Sequence, residues 1–180
     1  MFVFSCPVLV LFLQKLKGSA MHPQTDSALL AAQCSRATCF EELTAIALSE
    51  LHKFPQGAEV VCGPISTGGR GSVLENLRIF SATIHALQGL GIPVFSQMPY
   101  EEKIFHFRNR WRTEDPTRVN QYYTPILLEF YHPLIQTGLI KKGWFIPGWE
   151  SSTGAQWERI EFQKLGIEIC DLEEGWIVAL

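Results

Sequence analysis

KGWFIPGWESSTGAQWE, residues 142–158, is the stretch that decides the fold. Its first third is apolar and short enough to be a buried strand, and its middle is a polar turn rich in Gly and Ser. Thr153 and Gln156 then fit a capping box, in which the hydroxyl and the amide satisfy each other's backbone N–H groups. The stretch therefore predicts a strand, a tight loop and a helix whose first residue is Gly154.

Glu158 lies little more than one turn inside that predicted helix. Because helical side chains lean toward the helix N-terminus, we expect its carboxylate to overhang the end of the strand. The helix dipole favours the ionised form there, and open α/β sheets build ligand sites at this edge. The alternative is a surface glutamate near the start of a helix that belongs to no ligand site.

A second strand–loop–helix pattern lies upstream. The run Ala58–Cys62 is typical of a buried parallel strand, and four glycines follow it within residues 63–71. Ser72 and Glu75 fit another capping box. The next helix carries an apolar stripe of Val73, Leu77, Phe80, Ile84 and Leu87.

The glycine loop, residues 63–71, predicts an anion site, because its N–H groups and the helix end favour negative charge. Arg70 adds a charge that suits a phosphate or a carboxylate. The loop is not a Walker loop, and Leu74 stands where a dinucleotide fingerprint has its third glycine. The alternative is a glycine-rich turn with a solvated arginine.

The rest of the chain completes the pattern. Thr38 and Glu41 fit a capping box for a helix that Pro55 and Gly57 end. Further strands are expected at residues 92–96 and 166–171, and further helices at residues 122–136 and 154–164. Pro133 should kink or end the helix expected at residues 122–136. Residues 97–121 are predicted to be an irregular segment with a short helix. We therefore predict one α/β domain over residues 36–180, doubly wound and flavodoxin- or Rossmann-like, with about four to five parallel strands.

Composition limits the function classes. A chain of 180 residues with 47% hydrophobic residues can bury a sizeable core. Its net charge of -3 argues against general nucleic-acid binding. The five cysteines show neither C-x-x-C nor zinc spacing, so Cys62 and Cys170 are read as reduced, buried thiols of a cytoplasmic protein.

The N-terminal residues 1–35 are predicted to be a flexible or gene-model extension, with Met21 as the true start and residues 21–35 as a loose arm. Residues 1–13 are apolar, but Lys15 and Lys17 follow this run, whereas a secretory signal has its positive charges before the apolar run. The run is also too short to span a membrane. The alternative is a membrane-associating N-terminus that tethers an interaction protein.

Other side chains have competing interpretations. Arg108, Arg110, Trp111 and Arg112 form a cluster that suits an anionic ligand or a base, or else a solvated segment paired with Glu101, Glu102 and Glu114. His85, His106 and His132 lack partners at metal spacing and are read as structural or exposed. Trp144 is expected in the core, and Trp149 suits a wall on which a base stacks. A G-x-S-x-G nucleophile elbow is absent from the sequence.

Two stretches together resemble the nucleoside 2-deoxyribosyltransferase-like superfamily. The first is Cys62-Gly63-Pro64-Ile65-Ser66 with Gly68-Gly69-Arg70, which is most similar to the 2′-deoxynucleoside 5′-phosphate N-hydrolase branch. The second is Gly154-Ala155-Gln156-Trp157-Glu158, which resembles the superfamily's Gly-Thr/Ala-x-x-Glu signature. The likeness covers roughly residues 60–172. It departs from the superfamily in three respects. No Asp occurs in residues 122–149 to handle the leaving base, and neither Glu129 nor Glu150 aligns cleanly as a substitute. The arginine-rich segment has no counterpart, and Ala155 replaces the threonine of the signature.

The resemblance implies cleavage or transfer at the N-glycosidic bond of a nucleoside or nucleotide, with Glu158 as the nucleophile and no cofactor or metal. It implies substrate contacts from Gly63, Pro64, Ile65, Ser66, Gly68, Gly69, Arg70, Trp149, Ser152 and Gly154. A carboxylate suits this chemistry, since it stabilises or attacks the oxocarbenium-like centre. A homo-oligomer is also implied. The alternative is a non-catalytic module that binds a nucleotide or nucleotide sugar.

Overall fold

The computed structural model describes residues 27–178, and the side chains of residues 27–176. Proximity of Cα atoms divides the described residues into two compact units. The sheet unit comprises residues 59–94 and 142–178, and the helical unit comprises residues 27–58 and 95–141. The apolar N-terminal run and the proposed start at Met21 lie outside the described residues, and the domain boundary at residue 36 stays a prediction.

Helices dominate the described chain, and three strands form one sheet. The elements are α1 (Ser27–Arg36), α2 (Phe40–Leu51), β1 (Ala58–Cys62), α3 (Val73–Gly89), α4 (Glu101–Glu114), α5 (His132–Gln136), β2 (Ile140–Phe145), α6 (Thr153–Leu165), β3 (Glu168–Asp171) and α7 (Glu174–Val178). Short 3-10 turns occur at Met98–Tyr100, Pro116–Arg118 and Trp149–Ser151, and a π-helix occurs at Ile126–Tyr131. Within the described part of the chain, none of these helices is long and apolar enough to cross a bilayer.

The sheet has the strand order β1-β2-β3. β2 and β3 run parallel, with Gly143 opposite Ile169 and Phe145 opposite Asp171. β1 runs in the same direction, since the Ala58 N–H donates to Leu139 O at the start of the pair and the Ile146 N–H donates to Cys62 O at its end. Helices with a parallel sheet confirm the predicted α/β class.

The strand predicted at residues 92–96 is reduced to a single parallel bridge between Val94 and Glu59. Along β1 the Ala58 N–H points toward β2, and the next N–H, of Glu59, donates to Pro93 O at 2.9 Å. The bridge therefore lies on the edge of β1 opposite to β2. Pro93 has no N–H to donate to a ladder, which explains why the pairing goes no further.

The loose arm predicted over residues 21–35 is wrong for its second half, because residues 27–35 belong to α1. Leu30 and Cys34 are buried on one side of this helix, one turn apart. The helix therefore owes its order to packing within the helical unit, since its small and polar residues carry only a weak helical pattern.

The start of α2 also differs from the prediction. Cys39 is the N-cap residue and provides no side-chain cap. Glu42, and not Glu41, reaches back to Thr38, whose N–H and Oγ1 donate to its carboxylate at 2.6 and 3.0 Å. The helix starts one residue later than the Thr38 pattern implies, so the carboxylate that bonds back across the first turn is also one residue later.

The helix predicted over residues 122–136 is interrupted. A π-helix occupies Ile126–Tyr131, and regular α-helix follows only at His132–Gln136. Pro133 cannot donate the α-helical hydrogen bond to the carbonyl of Glu129, four residues earlier. That carbonyl accepts a hydrogen bond from Thr44 Oγ1 at 2.8 Å instead.

Each unit has its own aromatic core. In the helical unit the Phe40 ring packs against Phe107 and Phe130, and Tyr100 packs against Phe130. In the sheet unit the Phe162 ring of α6 lies edge-on to Phe145 and directly over Gly143, where a side chain would collide with it. Trp144 is buried, as predicted, and its indole N–H donates to Glu59 at 2.5 Å.

Candidate functional site

The helix that carries Glu158 begins one residue earlier than the sequence predicted. Ser152 is the N-cap, and its Oγ accepts the N–H of Ala155 at 3.3 Å, so Thr153 is the first helical residue. The predicted capping box of Thr153 with Gln156 is therefore wrong. The Gln156 amide donates to the carbonyl of Glu150 instead.

Glu158 lies in the second turn of α6, and it is only 8% exposed. Its carboxylate is hydrogen-bonded to the thiol of Cys62, the last residue of β1. Burial, and then the negative charge of Glu158, raise the pKa of the Cys62 thiol well above its ordinary value. The thiol is therefore protonated at neutral pH and donates its S–H to the carboxylate. The interpretation of Glu158 as a surface glutamate is wrong.

The glycine loop and the loop before α6 are joined by hydrogen bonds within the sheet unit. The Gly69 N–H donates to Ser151 Oγ at 2.8 Å, and the Thr153 N–H donates to Thr67 Oγ1 at 3.2 Å. Gly68 lies so close to Ser151 that a side chain at position 68 would collide with it. The two motifs, more than 80 residues apart in sequence, therefore lie together at the carboxyl ends of β1 and β2.

Asn76 organises the glycine loop, and the sequence reasoning missed it. It is 4% exposed on α3, and its Oδ1 accepts the Arg70 N–H at 2.9 Å. Its amide donates to the carbonyls of Ile65 and Gly68 at 3.1 and 3.0 Å. One signal was available, since Asn76 lies three residues after Val73 and four before Phe80, on the predicted apolar stripe. A polar residue on such a stripe must find buried partners.

The predicted anion cradle is internally satisfied in this conformation. The Gly69 and Arg70 N–H groups, which a phosphate would need, are bound to Ser151 and Asn76. The cavity that lies between Pro64, Asn76 and Ile146 has a volume of about 10 Å³. Because a water molecule needs at least about this much space, a larger ligand requires this loop to open.

Arg70 forms an ion pair with Glu174 at the start of α7, with its Nη2 2.5 Å from the carboxylate. The two side chains are 43% and 66% exposed. Such an exposed pair contributes little to stability and exchanges readily. Arg70 can therefore exchange this carboxylate for an incoming anion.

Trp149 is half-buried at the rim of the same loops. The guanidinium of Arg159 lies 4.2 Å from the centre of its indole ring, and Phe145 contacts the ring edge-on. Arg159 in turn donates to both carboxylate oxygens of Asp171 at 2.6 and 2.9 Å. One face of Trp149 is therefore covered by a cation, and the stacking role predicted from the sequence stays a prediction.

The remaining predicted contacts differ in accessibility. Gly63 and Pro64 are buried, with Gly63 packed against Ile146, while Ser66 is exposed. Ser152 is buried as the cap of α6, and Gly154 lies in its first turn. All predicted site residues thus belong to the sheet unit. Among the described residues, no three His, Cys, Asp or Glu side chains converge on a point that suits a metal ion.

The arginine cluster belongs to the helical unit and forms part of α4, a regular helix in place of the predicted irregular excursion. Arg110 lies 4.0 Å from Glu114, and Arg118 lies 3.7 Å from the same carboxylate. Burial, followed by the like charge of Arg112, lowers the pKa of Arg108. The predicted pairing with Glu114 is therefore present at Arg110, and the anionic-ligand interpretation stays a prediction, while Arg108 is partly desolvated.

No family model matches the chain. Neither a curated protein nor a solved structure matches it. The similarity to the nucleoside 2-deoxyribosyltransferase-like superfamily therefore depends on the residues of the two motifs alone.

Proposed function

We propose that this chain binds a nucleoside or nucleotide and cleaves or transfers it at the N-glycosidic bond, with Glu158 as the nucleophile. One observation supports this proposal above the others. The Glu158 carboxylate meets the Cys62 thiol, so it lies directly beside the start of the glycine loop. An acidic group and a glycine-rich anion loop at one sheet edge are the minimum that this chemistry needs.

We also propose that the chain has a doubly wound, flavodoxin- or Rossmann-like fold. The bridge at Val94 lies on the outer edge of β1, while β2 and β3 follow on the other edge. In chain order this gives the spatial sequence 2-1-3-4, which begins the flavodoxin-like order. In such sheets the ligand lies outside the carboxyl ends of the first and third strands in chain order, here β1 and β2.

In the proposed reaction a carboxylate oxygen of Glu158 bonds to the anomeric carbon as the bond from that carbon to the base nitrogen breaks. The electron pair leaves with the base, which then takes a proton from water. A second water releases the sugar from Glu158 in hydrolysis, and a second base does so in transfer. Asp171, at the end of β3, is another carboxyl group at this edge of the sheet, but both of its oxygens accept hydrogen bonds from Arg159. We therefore assign the protonation of the base to water and not to Asp171.

Substrate entry requires the glycine loop to open. A 5′-phosphate would take the Gly69 N–H from Ser151 and the Arg70 guanidinium from Glu174, both of which are exposed contacts. These exchanges replace neutral or loosely paired partners by a doubly charged anion, which binds N–H groups more strongly. The indole ring of Trp149 would then stack on the base.

The test is incubation with 2′-deoxynucleosides and their 5′-monophosphates, with the released base measured by chromatography. Glu158→Gln should lower kcat/KM at least 100-fold, about 3 kcal/mol of transition-state stabilisation. Glu161→Gln is the matched control, because Glu161 lies one turn further along α6, is equally buried and pairs with Lys164. Base release that survives in Glu158→Gln would remove Glu158 from this role.

The second candidate is a non-catalytic module for a nucleotide or nucleotide sugar. Two observations favour it: the loop N–H groups are satisfied by Ser151 and Asn76, and no Asp occurs in residues 122–149. Such a module would be stabilised by its ligand without turning it over. A rise in Tm with deoxynucleoside monophosphates, together with no released base, would select this candidate.

A further inference from the structure

A groove of about 480 Å³ opens within the helical unit, between α4 and the turn at residues 35–38 that joins α1 to α2. Four basic side chains line it: Arg36, Lys103, His106 and Arg110. We call it the basic groove. Its residues and the residues assigned to N-glycosidic chemistry belong to different units, and the proposed function does not use it.

Helical spacing creates one wall of the groove. Lys103, His106, Phe107 and Arg110 follow each other at intervals of three, one and three residues, which places them on one face of α4. Arg36 comes from the last turn of α1, so the positive charges come from two separate segments. Charges of one sign that converge from two elements repel each other unless an anion lies between them.

Two of these cations are held in place by backbone carbonyl groups. Lys103 Nζ donates to the carbonyl of Ser35 at 2.7 Å, and Arg110 Nη2 donates to the carbonyl of Thr38 at 3.3 Å. Both also lie over the Phe107 ring, at 5.6 and 5.3 Å from its centre. Because Phe107 is 5% exposed, it forms a rigid base beneath the two charges. The cationic groups are therefore positioned before any ligand arrives.

The carboxylates near the groove are weak competitors. Glu102 lies 3.9 Å from His106 and its side chain is 91% exposed, while Glu114 lies 4.0 Å from Arg110. Pairs at this distance in solvent contribute little. Glu42 interacts electrostatically with Lys103, but its carboxylate already accepts hydrogen bonds from the Thr38 N–H and hydroxyl. A ligand with several anionic oxygens can therefore displace the loose pairs at low cost.

We infer that the basic groove binds a small molecule that carries a phosphate group. Its volume lies in the range of small-molecule sites, roughly 300–1,000 Å³. Arginine and lysine together suit a phosphate, through the planar guanidinium fork and a compact ammonium. The net charge of -3 on the whole chain opposes a polyanion such as nucleic acid but not a single small phosphate ester.

The probes are glycerol 3-phosphate and inorganic pyrophosphate, titrated into the full chain and followed by isothermal calorimetry. Neither probe contains a base or a furanose sugar, so binding does not depend on the chemistry proposed for Glu158. We expect Lys103→Gln/Arg110→Gln to weaken the binding of both probes at least tenfold. Glycerol, which lacks the phosphate, should not bind.

The charge-matched control is Arg78→Gln/Lys164→Gln, which removes two positive charges from the sheet unit outside the glycine loop. Its affinities should stay within twofold of those of the wild type. If Arg70→Gln loses binding of both probes while the groove variant keeps it, the phosphate site is the glycine loop and the inference is wrong. The inference is equally wrong if the wild type binds neither probe.

Lys103 and Arg110 also tie α4 to the turn before α2, so their loss can affect folding. A second variant, Arg36→Gln/His106→Gln, leaves both of those hydrogen bonds in place. It should weaken binding of pyrophosphate at least threefold with an unchanged far-ultraviolet circular dichroism spectrum. Unchanged affinity in this variant, with the same spectrum, would overturn the assignment.

Discussion

At the scale of single residues, the glycine loop shows why two neighbouring glycines with similar backbones are not equivalent. Gly69 and Gly71 both have positive φ angles, +75° and +87°, which residues with a Cβ rarely adopt. A side chain at Gly69 would also collide with Asn76 and with Pro64, whereas nothing lies within 4 Å of one at Gly71. A comparison of substitutions at Gly69 and Gly71 therefore separates the effect of backbone strain from the effect of steric conflict.

Gly69→Ala should destabilise the fold more than Gly71→Ala does. Strain alone costs about 1–2 kcal/mol at each site, and the collision with Asn76 adds to this at Gly69. Urea denaturation of both variants measures the difference. Equal loss at the two sites would mean that the close packing of the loop against Asn76 does not exist in solution.

Glu101, at the start of α4, carries a pH dependence of stability. Burial raises the pKa of its carboxyl from 4.5 to about 7, although the Tyr131 hydroxyl and the charge of Arg108 oppose the rise. Between these two pH values the folded protein keeps a proton that the unfolded chain has lost. The free energy of unfolding should therefore fall as pH increases from 4.5 to about 7, and then level off.

Glu101→Gln should remove most of this dependence and raise stability at pH 8 by up to about 3 kcal/mol. The matched control is Glu102→Gln, its neighbour, whose side chain is 91% exposed. Denaturant titrations at pH 5, 6, 7 and 8 compare the three proteins. A wild-type stability that rises from pH 5 to 7, or a control that behaves like Glu101→Gln, would contradict the burial of this carboxyl.

At the scale of elements, the interrupted helix around Ile126–Tyr131 and α5 shows how one proline affects two segments. Pro133 supplies no N–H to the Glu129 carbonyl, and Thr44 on α2 supplies a hydroxyl to it. Thr44 is 6% exposed, so the carbonyl and the hydroxyl meet where water has little access. The hydrogen bond therefore connects α2 to the π-helix inside the helical unit.

Thr44→Val should cost about 1–2 kcal/mol, because it keeps the shape of the side chain but leaves the carbonyl without this donor. In a Pro133→Ala background, a new backbone N–H becomes available to the same carbonyl, and the cost should fall by at least half. A double-mutant cycle in urea measures this coupling. Additive effects of the two substitutions would show that the carbonyl does not depend on Thr44.

The three helix starts that were predicted from capping boxes show what such patterns can and cannot decide. Ser72 caps α3 as predicted, and its Oγ accepts the Glu75 N–H at 3.1 Å. At the other two helices the start differs by one residue, because several adjacent residues can accept the same N–H groups. The patterns thus locate a helix start but leave its exact residue to the tertiary packing around it.

At the scale of the whole molecule, the similarity to the superfamily predicts a homo-oligomer. Leu74 in the first turn of α3 is 80% exposed, and Val73 beside it is 42% exposed. Val73 was expected in the buried stripe, but Asn76 and Ile79 take the inward positions of this helix instead. The beginning of the helix that follows the glycine loop therefore presents apolar surface that a second copy would cover.

We expect light scattering to give a mass that is a multiple of 20.3 kDa, and Leu74→Asp to shift it toward the monomer. Leu128→Asp serves as the control, since Leu128 is 60% exposed in the helical unit. Burial of one leucine contributes roughly 1.5–3 kcal/mol, so its replacement by a charge weakens association more than tenfold. A wild-type mass of 20.3 kDa at micromolar concentration would falsify the oligomer prediction.

The sequence by itself determined those features that depend on neighbours a few residues away. Ala58–Cys62 is a buried strand, Ser72 caps a helix, and Trp144 lies in the core, all as its pattern indicated. Apolar periodicity and capping act over one or two turns, so they can be read from the chain alone.

Only the tertiary structure decided the features that join distant segments. The contact of Glu158 with Cys62, the hydrogen bond from Gly69 to Ser151 and the single bridge at Val94 each connect residues that are 35 or more positions apart. Asn76 forms hydrogen bonds with the glycine loop because that loop lies against α3 in the folded chain. Such partners are chosen by packing and by the need to satisfy buried polar groups, and a local pattern carries no record of either.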